Sequence, residues 1–429
     1  MYAFVERAYP IPRSLTGNGV RETLRLLGET VPLTVHEVPT GTPVLDWTVP
    51  KEWNVREAWI KDPSGRKIVD FAHHSLHLLG YSVPVHRRLS LEELQEYLYS
   101  LPEQPDVIPY RTSYYREQWG FCLTHHQRVS LPPGEYEVLV DASLAEGSLT
   151  YGECFLPGKT EQEVLLSAHV CHPALANDNL SGLAVARELI QLLAGGERRF
   201  GYRFLFMPGT IGAITWLARN EDAVSRIAHG LVAANLGDGG KFHYKRSRRG
   251  NATIDRAVAQ VLAESGREHE VEDFVPFGYD ERQFCSPGFN LPVGSLTRTP
   301  YGRYRQYHTS SDNLDLVRPE HLAGSLETYL KVFEVLEGEG KYLNLSPKGE
   351  PQLGRRGLYR ALGGEGSRDK ELALLWVLNL SDGGSSLLDV AARSGLPFGA
   401  VRAAADALLE AGLLEPLDEE ADRGKEGSP

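Results

Sequence analysis

The chain has 429 residues, 41% of them hydrophobic and 24% charged. That composition suits a folded globular protein with a large core and excludes wholesale disorder, a collagen-like repeat or a coiled-coil rod. Lys and Arg number 45 against 57 Asp and Glu, a formal net charge of −12, which argues against a general phosphate-backbone binder. Cys122, Cys154, Cys171 and Cys285 lie far apart with no CxxC spacing. Neither a disulfide framework nor a thiolate zinc knuckle is expected, and a reducing, cytoplasmic setting fits. No apolar run nears the roughly 20 residues of a membrane helix, and the first residues lack the pattern of a secretory leader.

Residues 1–40 read as a short helical entry, with Leu24, Leu26 and Leu27 on a partial stripe. From about 41 to 160 short Tyr-, Trp- and Val-rich runs alternate with turn signals. Glu57–Lys61 and Arg66–Phe71 flank Asp62-Pro-Ser-Gly as a β-hairpin, and Pro132-Pro-Gly leads into an alternating strand. One helix begins at Ser90. This stretch is expected to be an inserted β-rich domain.

From about 161 to 345 apolar strands and amphipathic helices alternate. Strands are expected at Val164–Ala168, Arg203–Met207, Leu231–Leu236 and Leu291–Leu296, and helices at Leu180–Leu193, Ala213–Arg219, Ala252–Ser265 and His321–Leu336. Such alternation predicts an α/β domain with a mixed, mostly parallel sheet and helices on both faces. Residues 345–368 hold six glycines and two prolines and read as a linker. A small helical domain follows, within 355–417, with the short-helix, turn, longer-helix rhythm of a winged helix-turn-helix. The charged tail 418–429 is expected to be disordered.

The densest polar cluster is Ser167-Ala-His169-Val-Cys171-His172-Pro, followed by Asn177-Asp178-Asn179-Leu-Ser-Gly182. It joins an apolar strand to a helix, where open α/β sheets bind ligands. Taken singly, His169 caps a strand and Asp178 caps a helix. Together, beside a second histidine, they suit a borderline cation such as zinc. Asp238 ends the next strand among glycines, and His308 lies in the loop Tyr307-His-Thr-Ser-Ser-Asp312-Asn before the last long helix. Two histidines and two carboxylates can hold one zinc, or two that share a carboxylate. Asp280-Glu281-Arg282-Gln283 among aromatics reads as a substrate loop, with Arg282, Tyr304 and Tyr307 as candidate substrate contacts. Asp312 reads as a helix-start residue.

These stretches resemble the co-catalytic zinc aminopeptidases related to bacterial leucyl aminopeptidase and glutaminyl cyclase. Ser14-Leu-Thr-Gly-Asn-Gly-Val, Asp46-Trp-Thr-Val-Pro-Lys-Glu-Trp, His169-Val-Cys-His-Pro and Tyr307-His-Thr-Ser-Ser-Asp-Asn extend the likeness over nearly the whole chain. They match a bacterial family of aminopeptidase-like proteins named as domains of unknown function. The resemblance implies a zinc-exopeptidase-like fold with an inserted β domain and a C-terminal winged helix. It implies that His169, Asp178 and Asp238 hold one zinc, and that Asp178 and His308 hold a second with Asp178 bridging. It further implies hydrolysis of the N-terminal amide of a small peptide or aminoacyl conjugate.

One departure stands out. The wider peptidases carry a Glu pair after the second strand, one Glu on metal and its neighbour taking the proton of the attacking water. This chain reads Phe206-Met-Pro-Gly209-Thr-Ile-Gly212 there. Either Glu281 or Glu153 replaces the missing carboxylate, with Glu281 preferred, or the site keeps a single zinc, or activity is lost. N-deacylation, cyclisation and a non-catalytic role stay open beside exopeptidase chemistry, as does a homo-oligomeric state. The winged helix is not expected to bind nucleic acid: over 368–417 four basic residues face seven acidic ones, a balance of 4 − 7 = −3.

Overall fold

The structure is a computed structural model, describing residues 1–359 and 367–417. The expected tail and part of the expected linker lie outside the described residues. The chain divides into two compact units, Met1–Ala252 with Glu268–Glu327, and Thr253–Arg267 with Thr328–Pro429.

The first unit is built on an eight-stranded sheet. Its strands in chain order are β1 (Thr34–Pro39), β2 (Ser148–Leu156), β3 (Glu163–His169), β4 (Gly201–Met207), β5 (Ile227–Ala233), β6 (Phe242–Lys245), β7 (His269–Glu272) and β8 (Val293–Thr297). Their spatial order is β1-β2-β4-β3-β5-β8-β6-β7. The β3–β4, β3–β5, β5–β8 and β6–β7 pairs are parallel, whereas β1–β2, β2–β4 and β6–β8 are antiparallel. Every residue of β3 and β4 is buried. That is why they read as continuous apolar runs rather than alternating ones: a central strand covered on both faces has no solvent side. The helices Gly182–Ala194 and Ile211–Arg219 follow β3 and β4 in the chain and bury most of their residues.

The insert is smaller than its composition indicates. Its own sheet has four antiparallel strands in the order Lys67–Asp70, Glu52–Lys61, Glu135–Ala145, Val85–Ser90. Ser148–Leu156, expected inside the insert, is instead strand β2 of the main sheet, paired to β1 and β4. A two-residue gap separates it from Glu135–Ala145, and local pattern alone cannot tell a strand that leaves one sheet for another. The helix expected from Ser90 is short, Leu91–Leu94 with a capping box from Ser90 and Glu93, and passes into a 3-10 turn.

In the second unit, strand Lys341–Asn344 pairs antiparallel with Asp382–Ser386 and Leu414–Pro416. The helices are Ser367–Leu380, Leu387–Ser394 and Phe398–Glu410. The middle helix starts at a reciprocal box between Ser386 and Asp389 and stops at Gly395, which takes φ 72°. This is the expected winged helix, with three strands added. The helix Thr253–Glu264 belongs to this unit rather than to the expected α/β domain. Arg256 pairs with Asp389 at 2.7 Å, and Glu264 accepts the Phe398 backbone N–H at 2.7 Å. Among the described residues no helix is long and apolar enough to cross a membrane.

Candidate active site

Strand period places Ser167 and His169 on the same side of β3, at its carboxyl end. The next segment, Asn177-Asp178-Asn179, is buried throughout and divides its side chains between two tasks. Asn177 donates to Asp238 Oδ2 at 2.8 Å and accepts from Gly237 N at 2.8 Å. Asn179 donates to the Ala233 carbonyl at 2.9 Å. The flanking amides thus tie the segment to the end of β5, leaving Asp178 to face the histidines.

Asp178 Oδ1 lies 2.8 Å from His169 Nε2, and its Oδ2 lies 3.0 Å from His308 Nε2 and 4.0 Å from His172 Nε2. The ligand atoms of His169, His172 and Asp178 all fall within 4.8 Å of one another. Burial alone would raise the Asp178 carboxyl, but the facing His172 and the bonds from His169 and His308 hold it well below its ordinary range. Burial pushes the His172 imidazole down to about 3, against the pull of Asp178. A neutral imidazole beside an ionised carboxylate is the protonation pattern a divalent metal requires.

Aromatic rings hold these imidazoles. Tyr279 stacks on His169 at 5.7 Å and Tyr307 on His308 at 3.9 Å, while Tyr110 of the insert meets His172 and His308 at 5.2 and 5.0 Å. His308 takes the left-handed φ of 54°, and its carbonyl accepts from Tyr110 N at 2.8 Å. A β-carbon disfavours that conformation, so the packing around His308 holds it there.

Asp312 does more than start a helix. Its oxygens accept the backbone N–H groups of Asn177 at 2.6 Å and Asp178 at 3.1 Å. Tyr304, expected to touch substrate, instead donates to Asp312 at 3.3 Å. Burial raises the Asp312 carboxyl to about 8. The spacing of Tyr304, His308 and Asp312 in one loop is the signal that marks this clamp.

The remaining expected residues separate. Asp238 stands outside the His169, His172, Asp178 group. Its oxygens accept from Thr299 Oγ1 at 2.7 Å, Gly240 N at 2.7 Å and Asn177 Nδ2 at 2.8 Å. Glu153 is committed to Arg203 and lies 3.2 Å from His36, where it lines a different cavity. Glu281 is fully buried but paired with Lys245, and it accepts from Tyr279 N at 3.2 Å. Neither glutamate reaches the histidine cluster, because each is drawn toward a cation on another strand.

The carboxylate that does reach it is Asp280. A cavity of about 320 Å³ is lined by His169, His172 and Asp178 together with Gly209, Asp280, Arg282 and Tyr307. Trp47, Tyr114 and Tyr115 of the insert close its other side. Asp280 Oδ2 accepts from Ser167 Oγ at 3.4 Å, and its Oδ1 is buried without a partner. A β-carbon on Gly209 would lie 3.4 Å from that Oδ1 and 3.3 Å from His169 Cβ. Burial pushes the Asp280 carboxyl up to about 7, with His169 opposing. The sequence offers two adjacent acids, and only the fold tells which one turns inward.

Comparison with known proteins agrees with this architecture. The family described as a domain of unknown function, DUF4910, matches residues 2–339, and a winged helix-turn-helix family matches residues 340–416. A Clostridium acetobutylicum protein, assigned by name to polysaccharide biosynthesis and to an aminopeptidase-like domain, is 50% identical over 97% of this chain and 96% of its own. A crystal structure from Clostridium acetobutylicum, named as a peptidase, superposes with a TM-score of 0.92 at 49% identity, over 97% of this chain and 96% of that one. A zinc aminopeptidase from Bacillus subtilis shares the fold at 12% identity, with a TM-score of 0.57 over 78% of this chain and 93% of its own. The chain belongs to the DUF4910 family, with an aminopeptidase-like fold followed by a winged helix-turn-helix.

Proposed function

We propose that the first unit is a zinc-dependent amide hydrolase that releases the N-terminal residue of a small peptide or aminoacyl conjugate. One observation carries the reading. His169, His172 and Asp178, the last bonded also to His308, converge on the wall of a cavity in which the buried oxygen of Asp280 has no partner. Two imidazoles and one carboxylate, with a fourth position left for water, are the donor set of a catalytic zinc. With Asp238 bound to three other donors, we assign a single ion to His169, His172 and Asp178, with His308 beside it. Bound there, zinc supplies a Lewis acid for the substrate carbonyl and acidifies a water toward neutral pH.

The chain's own groups do the rest. Asp312 and the flanking asparagines fix Asp178. Tyr279 and Tyr307 fix the imidazole planes. Asp280 Oδ1 accepts the proton of the attacking water and returns it to the leaving nitrogen, the task that a Glu performs in the wider peptidases. The aromatic wall from the insert favours short substrates by narrowing the entrance.

The test combines elemental analysis of the full chain with a panel of aminoacyl and N-acyl amides. One zinc per chain and turnover of aminoacyl amides are expected. Asp178→Ala abolishes both. Asp280→Asn keeps the metal but lowers kcat by about 10²–10⁴, the usual worth of a positioned base. Turnover confined to N-acyl amides reassigns the site to deacylation. A chain that takes up no zinc refutes the proposal.

A further inference from the structure

Resting on that reading of the cavity, we infer that its substrate carries an anionic group, a carboxylate or a phosphate, and that Arg282 binds it. Arg282 lines the same cavity as His169 and Asp178. Its Nε is buried without a hydrogen-bond partner, and its guanidinium lies 5.6 Å over the ring of Phe277. Among the described residues no carboxylate pairs with it. Two nearby cations are neutralised: Lys245 pairs with Glu281 and Arg303 with Glu272. The adjacent Asp280 attracts Arg282 through space but forms no ion pair with it, since one of its oxygens takes the Ser167 hydroxyl and the other faces Gly209.

A guanidinium held against a protein wall loses part of its hydration, and no hydrogen bond from the protein replaces it; Phe277 offers only a ring face and Asp280 only a through-space attraction. The partner it is shaped for is a planar or tetrahedral oxyanion, which it grips through two parallel N–H donors. Amide hydrolysis itself needs no such cation. The charge is therefore a specificity element: it selects among substrates rather than driving bond cleavage. The cavity, near the lower end of the roughly 300–1,000 Å³ range of ligand sites, limits the choice to a molecule of about dipeptide size. A dipeptide with a free carboxylate and an aminoacyl conjugate of a phosphorylated amine both meet that description.

The experiment uses the zinc-loaded full chain and three non-cleavable probes. They are dipeptide isosteres with a reduced amide that end in a carboxylate, a phosphonate or a neutral carboxamide. Calorimetry reads their Kd, so the result does not depend on turnover. At least one anionic probe is expected to bind tenfold or more tighter than the carboxamide. That preference is lost in Arg282→Gln and partly kept in Arg282→Lys, which retains the charge without the two-pronged donor. Zinc content and thermal midpoint establish that both variants are folded and loaded. The tighter of the two anionic probes identifies the source of the anion. Equal binding of all three probes, a preference that survives Arg282→Gln, or no binding of any probe overturns the inference. The hydrolase reading is judged separately by metal content and turnover of neutral aminoacyl amides, and it can stand when this inference falls.

Discussion

Gly209 and Asp280 are far apart in the chain, yet a β-carbon at the first would lie 3.4 Å from a carboxylate oxygen of the second. Where the resemblance implies a Glu at the end of β4, the carboxylate nearest that point in this chain comes from the loop before β8. If the two positions serve one point, they are interchangeable. Gly209→Glu placed in an Asp280→Asn background is expected to recover at least tenfold of the lost kcat. The His169 Cβ at 3.3 Å must then give by a few tenths of an ångström. With Asp280 intact, the same substitution brings two carboxylates together and raises the pKa of one of them, so activity falls below that of the parent. Steady-state kinetics on the three variants, with zinc content measured beside them, decide it; a zinc-loaded double variant no faster than Asp280→Asn sinks the equivalence. Three of the four ligand candidates were legible as a motif. His169, Asp178 and His308 stand among unusually dense polar residues at a strand end and in two loops, and the structure brings them together. The choice between Asp280 and Glu281 was not legible, because Lys245 on β6 decides it and no local pattern reports that contact.

At the level of elements, burial sorted what the sequence made readable. The strands β3, β4 and β5 announce themselves because buried parallel strands must be apolar on both faces. β6 and β7, Phe-His-Tyr-Lys and His-Glu-Val-Glu, are short and mixed in polarity, with β7 at the sheet edge, and the winged-helix strand Asp382–Ser386 is mostly Gly and Ser. Such segments become strands through their neighbours and not through their composition. One buried element also carries a titratable group that the site does not use. His229 on β5 meets Phe200 edge-on at 5.2 Å, and its Nδ1 has no partner. Burial, helped by the charges of Arg199 and Arg249, pushes it down to about 3. A depressed imidazole pKa contributes stability in full above the ordinary value of 6.5 and loses it as pH falls toward 3, since the unfolded chain takes up a proton that the folded chain refuses. This share lowers the urea midpoint between pH 7.5 and pH 5, as do the depressed His172 and His74, while the raised Asp280 and Asp312 carboxyls act in the opposite sense. His229→Phe, close in shape, is therefore expected to lose less midpoint, or gain more, than the parent on going from pH 7.5 to pH 5. Identical pH slopes for parent and variant would rule His229 out as a contributor.

At the scale of the whole molecule, a winged helix-turn-helix invites the expectation of a DNA-binding protein, and charge argues otherwise. The chain carries a net −12, and a duplex attracts proteins mainly by exchanging its counterions for Lys and Arg. The helix Phe398–Glu410, in the position of a recognition helix, has one basic residue, Arg402. Its guanidinium is already engaged, 2.8 Å from Asp406 and 2.7 Å from the Gly338 carbonyl. A face with its only cation internally paired and two carboxylates beside it gains no counterion release and repels phosphates. We expect the full chain to show no shift of a random-sequence duplex at physiological salt. Lowering the salt about tenfold, which strengthens phosphate contacts steeply, is expected to reveal at most weak binding. Arg402→Ala would leave that residual binding unchanged, since the side chain it removes never faced the duplex. Salt-sensitive binding that falls on Arg402→Ala would assign the helix to DNA. Should neither be seen, the second unit is better read as a protein-packing module that keeps helix-turn-helix geometry without the charge that reads nucleic acid.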